Sequence, residues 1–135
     1  FYRFHKANRS FVILTDTGYC SDYLRGLIKG ADAYLMESNH DLEMLRMGAY
    51  PWNLKQRILG DYGHLSNEDG ALAAADELTD QTKRIYLGHL SRENNMKELA
   101  HLTMEGILRE QGFAVGQAFE IYDTDPNQAS ELFSI

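Results

Sequence analysis

The sequence contains 135 residues with a net charge of −7, one cysteine, 44% hydrophobic and 24% charged residues. This length and composition are typical of one water-soluble globular domain, and no apolar run reaches the roughly 18 residues that a membrane span needs. The acidic balance argues against a broad phosphate-binding surface of Lys and Arg. The lone Cys20 excludes an internal disulfide and favours a reducing cytoplasm. Because the sequence starts with Phe1 inside a strand-like run, we expect a fragment of a longer protein.

The first part of the sequence predicts a β-hairpin followed by a β-α-β unit. Residues 1–5 alternate apolar and polar side chains and residues 10–16 form a more apolar run, which predicts two paired strands. Asn8 is suited to a positive φ in the turn between them. A helix over 23–29 and a third strand over 33–38 follow. Because such crossovers connect parallel strands, the second and third strands are expected to end at the same sheet edge.

The remainder predicts the further helices and strands of an α/β domain. Predicted helices cover residues 41–47, 54–59, 67–78 and 95–111, and predicted strands cover residues 84–87, 119–123 and 131–135. Ser66 with Asp69 fits a capping box, and Asn94 or Asn95 is the expected N-cap of the last helix. No linker interrupts the pattern, so residues 1–135 are expected to form one domain.

Three residues at strand or loop ends predict a metal site. Asp16 ends the second strand before Thr17-Gly18, and the tetrapeptide Gly-His-Leu-Ser occurs twice, around His64 and around His89, each time just before a predicted helix. Carboxylate and neutral imidazole are ligands that zinc and manganese use. Asp16 could instead cap a turn, and either histidine could bond to a loop carbonyl. The repetition favours the metal hypothesis.

Two further clusters are weaker candidates. Glu37-Ser38-Asn39-His40-Asp41 places five polar residues after the third strand, and His40 is a possible proton-transfer group there. An N-cap at Asn39 or Asp41 explains much of the same cluster. Tyr50-Pro51-Trp52 is either an aromatic lid over the core or a substrate platform. No HxH, HExxH or CxxC spacing occurs, so the chain alone does not supply three or four ligands at a recognised spacing.

These blocks, in this order, resemble the C-terminal half of the YycJ/VicX (WalJ) proteins, bacterial hydrolases of the metallo-β-lactamase fold related to ribonuclease Z. The resemblance is carried by residues 15–18, 37–41, 50–69 and 86–95. It implies the C-terminal half of an αββα sandwich, with a mixed sheet of about five to six strands and helices on one face. It also implies that the N-terminal half of the domain, with its HxHxDH motif, is missing.

The resemblance implies a role for each candidate residue. Asp16 matches a metal-bridging aspartate, His89 a late metal-ligand histidine, and His64 a histidine held near the scissile phosphate. His40 is the second candidate catalytic residue. The full-length parent is expected to bind two divalent ions, zinc or manganese, and to hydrolyse phosphodiesters in the cytoplasm as a DNA exonuclease.

The fragment is expected to behave differently from its parent. Without the HxHxDH motif it should bind metal weakly or not at all and be inactive. It is also expected to dimerise through the sheet face that the missing half would cover. Two alternatives stay open: a small-molecule metallohydrolase of the same fold, acting on a thioester or cyclic phosphodiester, and a non-catalytic protein-interaction module. Tyr50–Trp52 and Arg57 would serve either kind of substrate.

Overall fold

The computed structural model describes residues 1–135 as one five-stranded sheet with five helices. In chain order the elements are β1 (Tyr2–Lys6), β2 (Arg9–Leu14), α1 (Asp22–Ile28), β3 (Ala33–Glu37), α2 (Leu42–Met47), α3 (Trp52–Leu59), α4 (Asn67–Glu77), β4 (Arg84–Gly88), α5 (Lys97–Glu110) and β5 (Glu120–Asp123). The strands lie side by side in the order β1-β2-β3-β4-β5. Only β1 is antiparallel to its neighbour; β2 to β5 are parallel. The sheet is therefore mixed, as predicted.

Polar side chains begin three of the helices. Ser21, Asp41 and Ser66 each accept a hydrogen bond from the backbone N–H three residues further on, which satisfies a donor that the first helical turn leaves free. The predicted capping role of Ser66 is thus confirmed. No helix combines the length and apolar character required to traverse a bilayer.

The hydrophobic core lies between the sheet and α1, α4 and α5. Alternate strand residues project to this side, among them Val12, Tyr34, Met36, Ile85 and Ile121, and they pack into one buried cluster with helix residues. Three alanines of α4 belong to the same cluster: Ala71, Ala73 and Ala74. Their small side chains allow α4 to lie close to the sheet.

The opposite face of the sheet carries an aromatic cluster. Tyr86 stacks on Tyr122 with ring centroids 4.9 Å apart and on Phe133 with centroids 5.0 Å apart. The Arg84 guanidinium lies 4.7 Å from the centroid of the Phe133 ring. The C-terminal residues therefore cover part of this face. Dimerisation through it stays a prediction.

Three local predictions are wrong. Residues 131–135 form no strand; Phe133 packs on the sheet face instead of pairing with an edge. α5 begins at Lys97, and neither Asn94 nor Asn95 caps it with a side chain. In the β1–β2 turn the positive φ of 54° belongs to Ala7, the residue before Asn8.

Candidate metal centre

The candidate centre lies at the carboxyl edge of the parallel strands. Asp16 lies two residues after β2, Glu37 is the last residue of β3, and His89 directly follows β4. His64 enters from the loop between α3 and α4. One donor atom from each of these four side chains lies within 4.8 Å of the others. The structure thus brings together Asp16, His64 and His89, as the strand-end argument predicted.

The Asp16 and His89 backbones are unusual. Their φ angles are 59° and 57°, in the left-handed region that residues other than glycine seldom adopt. Each residue lies at the point where a parallel strand turns into its loop. Backbone conformations of this cost persist where the surrounding structure enforces them, and they concentrate at functional sites.

Glu37 holds both histidines and was not among the predicted site residues. Its side chain is fully buried, and Oε1 lies 2.8 Å from Nδ1 of His64 and 2.6 Å from Nδ1 of His89. The backbone N–H of Leu65 donates to the other oxygen at 3.3 Å. Because an ionised carboxylate only accepts hydrogen bonds, this contact suits imidazoles that donate Nδ1–H, the tautomer that presents Nε2 to a ligand. This is the arrangement that prepares histidine for metal binding.

Asp16 completes the donor set from the solvent side. Its side chain is 67% exposed, and Oδ1 lies 3.6 Å from Nε2 of His89 and 3.8 Å from Nδ1 of His64. Two ligands placed about 2.1 Å from one tetrahedral zinc ion are about 3.4 Å apart. The spacing of Asp16 and His89 therefore fits two ligands of one ion, and nitrogen with carboxylate oxygen suits zinc or manganese.

The segment after β3 runs between the two histidine loops and fixes both. Five backbone hydrogen bonds of 2.7–3.0 Å join this segment to the two loops. Those to the His64 loop are Asn39 N to Leu65 O and Asn67 N to His40 O. Those to the His89 loop are Ser38 N to Gly88 O, Asp41 N to Asn94 O and Ser91 N to Asn39 O. The side chain of Asn39 also donates to the carbonyl of His89 at 2.8 Å. Residues 38–41 thus hold the two loops at one separation.

A buried amide pair adds a second link between the loops. Asn67 and Asn95 donate to each other's side-chain oxygen, both at 2.9 Å, and Asn95 also donates to the carbonyl of Ser38 at 2.8 Å. Asn67 follows His64 by three residues, and Asn95 follows His89 by six. Each amide therefore ties its own histidine loop to the other loop and to the end of β3.

His40 lies behind the cluster. It is 1% exposed, Nδ1 lies 3.2 Å from Oδ1 of Asn39, and Nε2 has no hydrogen-bond partner. Burial, with a smaller contribution from the neighbouring His64, lowers the pKa of His40 to about 4. His40 does not line the cleft in front of the four donors. Its catalytic role stays a prediction, and from this position it would act through His64.

An open cleft of about 700 Å³ lies in front of the donors. Besides Asp16, His64 and His89 it is lined by Asn39, Tyr50, Leu54, Arg57, Ile58, Tyr62, Gly63, Leu90, Ser91, Arg92 and Glu93. Of the predicted aromatic platform, Tyr50 lies in this lining, whereas Trp52 does not. The cleft gives a ligand access to the donor atoms from solvent.

Comparison with solved structures identifies the class of fold. The chain superimposes on the metallo-β-lactamase fold protein YhfI from Bacillus subtilis with a TM-score of 0.59 and 14% sequence identity, covering 90% of this chain and 39% of that protein. The chain therefore has part of the metallo-β-lactamase fold. No family model matches the sequence.

Curated relatives resemble the chain much more closely in sequence. The chain is 60% identical over 132 residues to the exodeoxyribonuclease YycJ of Bacillus anthracis, and 58% identical over 135 residues to the exodeoxyribonuclease WalJ of Streptococcus pneumoniae. The matches cover 98% and 100% of this chain, and 50% of each relative. The chain is therefore similar to the YycJ and WalJ proteins along its whole length, and it spans half the length of these relatives.

Proposed function

We propose that this chain carries part of the active site of a metal-dependent DNA exonuclease. The observation that carries the proposal is the buried Glu37 carboxylate, which accepts from Nδ1 of both histidines and leaves their Nε2 lone pairs free. That preparation suits metal binding and proton transfer, and a protein-interaction surface would not need it. The names of the two relatives supply the substrate class.

The residues divide into two roles. Asp16 and His89 hold divalent metal, zinc or manganese, because Oδ1 and Nε2 have the spacing of two ligands on one ion. Two such ions, when bound, supply Lewis-acid stabilisation of phosphoryl oxygens and activation of water. His64 donates a proton to the leaving oxygen of the phosphodiester, and Glu37 stabilises the imidazolium that this role requires.

The complete centre requires residues outside this chain. We propose that residues 1–135 form the C-terminal part of one metallo-β-lactamase domain, and that an N-terminal part supplies an HxHxDH motif with the remaining ligands. On this proposal the chain alone binds metal weakly and is inactive, whereas the full-length protein is an active nuclease in the bacterial cytoplasm.

Metal analysis and nuclease assays of the full-length protein test this function. We expect about two ions per chain, loss of metal and of DNA hydrolysis in Asp16→Ala and His89→Ala, and retained metal with a reduced kcat in His64→Ala. His101→Ala, on α5 and outside the centre, is the matched control and should behave as wild type.

Two outcomes would contradict the function. Full nuclease activity of the Asp16→Ala, His89→Ala double variant would remove these residues from the mechanism. Hydrolysis of a thioester or a cyclic phosphodiester by the wild type, with no hydrolysis of DNA, would assign the centre to a small-molecule hydrolase instead.

A further inference from the structure

The cleft in front of the donors contains four large side chains to which the proposed chemistry assigns no role. Arg57 and Tyr62 line it on the side of α3 and the loop that follows, Arg92 lines it on the side of the His89 loop, and Tyr50 completes the set. They surround the donor atoms and are not part of the donor cluster. Their chemistry indicates what the cleft binds.

The two arginines are available to bind an anion. Both are exposed, and neither makes an ion pair or a side-chain hydrogen bond within the chain. Four other basic side chains, those of Arg9, Arg25, Lys97 and Arg109, are neutralised by neighbouring carboxylates. In a chain of net charge −7, these two guanidinium groups keep their hydrogen-bond donors free, while Asp16 and Glu93 balance their formal charge within the same cleft. The fork of a guanidinium group matches phosphate oxygens.

The tyrosines add exposed aromatic surface to the same cleft. Tyr62 is fully exposed and follows α3 by three residues, and Tyr50 is half-buried. An aromatic ring left in water beside free guanidinium groups is suited to stack on a nucleobase, and such stacking is tolerant of base identity. Phosphate binding and base stacking together indicate a nucleotide.

The cleft is large enough for one nucleotide. Its volume of about 700 Å³ lies within the range of roughly 300–1,000 Å³ that is usual for small-molecule sites. A terminal nucleotide therefore fits in front of Asp16 and His89.

We propose that the cleft is the subsite for the terminal nucleotide of a DNA strand. Arg57 and Arg92 bind phosphate oxygens on either side of the donor cluster, and Tyr62 stacks on the terminal base. This assignment rests on the proposed nuclease function and names the residues that hold the end of the DNA strand. The arginines and Tyr62 are positioning residues for the phosphodiester.

Kinetics of the full-length, metal-loaded protein on two probes test the assignment. The first probe is a single-stranded DNA 12-mer, and the second is bis(p-nitrophenyl) phosphate, which has no nucleobase. We expect Arg57→Gln and Arg92→Gln to raise KM for the 12-mer about tenfold and to lower the salt slope of binding by about one each. Tyr62→Ala should raise KM for the 12-mer by about tenfold and leave bis(p-nitrophenyl) phosphate hydrolysis unchanged.

Arg46→Gln is the matched control. Arg46 is exposed on α2, its side chain makes no ion pair or hydrogen bond, and it does not line the cleft. Values of KM for the arginine variants equal to that of Arg46→Gln would overturn the subsite, as would an equal effect of Tyr62→Ala on both probes. In both cases the wild type still cleaves DNA, so the proposed function survives. A wild type that cleaves no DNA overturns both proposals together.

Discussion

The two Gly-His-Leu-Ser loops have the same four residues and bring their histidines to the same carboxylate oxygen, yet their backbones differ. Gly88 ends β4, and His89 turns the chain through a left-handed φ of 57°. Gly63 follows a turn after α3, and His64 needs no such conformation. The tetrapeptide therefore does not encode one loop structure. What makes the two histidines equivalent is Glu37, to which both are bonded.

The serines differ in the same way. Ser66 accepts from the backbone N–H of Asp69 and begins α4 at once, whereas Ser91 accepts from that of Asn94 within a turn, and α5 begins only at Lys97. The environments of the histidines differ as well. His89 has Glu37 at Nδ1 and Asp16 at Nε2, while both Glu37 and Asp16 lie on the Nδ1 side of His64. This asymmetry supports a ligand role for His89 and a proton-transfer role for His64.

Removing the shared carboxylate tests whether one residue supports both loops. We expect Glu37→Gln to weaken metal binding by the full-length protein 10- to 100-fold, because both imidazoles lose a charge-assisted partner. Titration with Co²⁺ followed by its visible spectrum measures the loss. The exposed Glu43 of α2 provides the control, Glu43→Gln, which should bind metal normally. Unchanged Co²⁺ affinity in Glu37→Gln would show that the histidines are oriented by other contacts.

Adding a methyl group to each glycine distinguishes the two loop backbones. A Cβ at Gly63 would overlap the backbone carbonyls of Arg57 and Ile58, whereas at Gly88 it would meet the Leu35 side chain at 2.8 Å. Because a side chain can shift more easily than backbone, we expect Gly63→Ala to destabilise by about 3 kcal/mol and Gly88→Ala by about 1 kcal/mol. Urea unfolding gives both values. Equal losses would mean that the two loops are equally rigid.

Truncating the amide pair tests the link between the loops. Asn95→Ala leaves the buried Asn67 side chain without a partner, and Asn67→Ala removes two of the hydrogen bonds of Asn95. We expect each to lose about 2 kcal/mol of unfolding free energy. Asn95→Ala should cost more, because Asn95 also bonds to the backbone of Ser38 and Met96. A double-mutant cycle isolates the coupling. Strictly additive losses would show that the two amides act independently.

Acidification should destabilise the folded protein through His40, which lies in the segment bonded to both histidine loops. The pKa of His40 is about 4 in the folded protein, below its value of about 6.5 when unfolded. Below pH 6.5 the unfolded state binds a proton that the folded state does not, so stability falls as the pH drops from 6.5 towards 4. We expect a contribution of about 3 kcal/mol at pH 4.

The His40→Gln variant should lose that contribution. Urea midpoints measured from pH 7 to pH 4 would then decline less steeply in the variant than in the wild type. The exposed His5 offers a control, His5→Gln, whose profile should match the wild type. Parallel profiles for His40→Gln and wild type would show that His40 titrates normally.

The sequence predicted the parts of the site that follow from strand order. Asp16 and His89 follow parallel strands on either side of β3, so their meeting at one edge could be expected. The role of Glu37 could not, because its partners lie 27 and 52 residues further along the chain and an acidic residue beside Asn39 and Asp41 resembles a turn. The signal that could have indicated the role of Glu37 is a carboxylate at the end of an otherwise apolar strand.

Long-range side-chain contacts account for the other differences. Nothing local indicates that Asn67 pairs with Asn95 across 28 residues, which is why Asn95 was expected to cap α5. Residues 131–135 have a strand-like composition, yet a strand needs a partner with free backbone groups. Phe133 instead stacks on Tyr86. The local sequence around residues 131–135 gives no sign of this contact.

The order of the strands bears on how the protein is made. Because position in the sheet follows position in the chain, each strand emerging from the ribosome finds its partner already synthesised and adds to the growing edge. Domains commonly fold during synthesis from the N-terminus, and this topology allows the sheet to assemble one strand at a time. The four donors then arrive in the order Asp16, Glu37, His64 and His89. A ribosome stalled before β4 would present a nascent chain that already holds three of them.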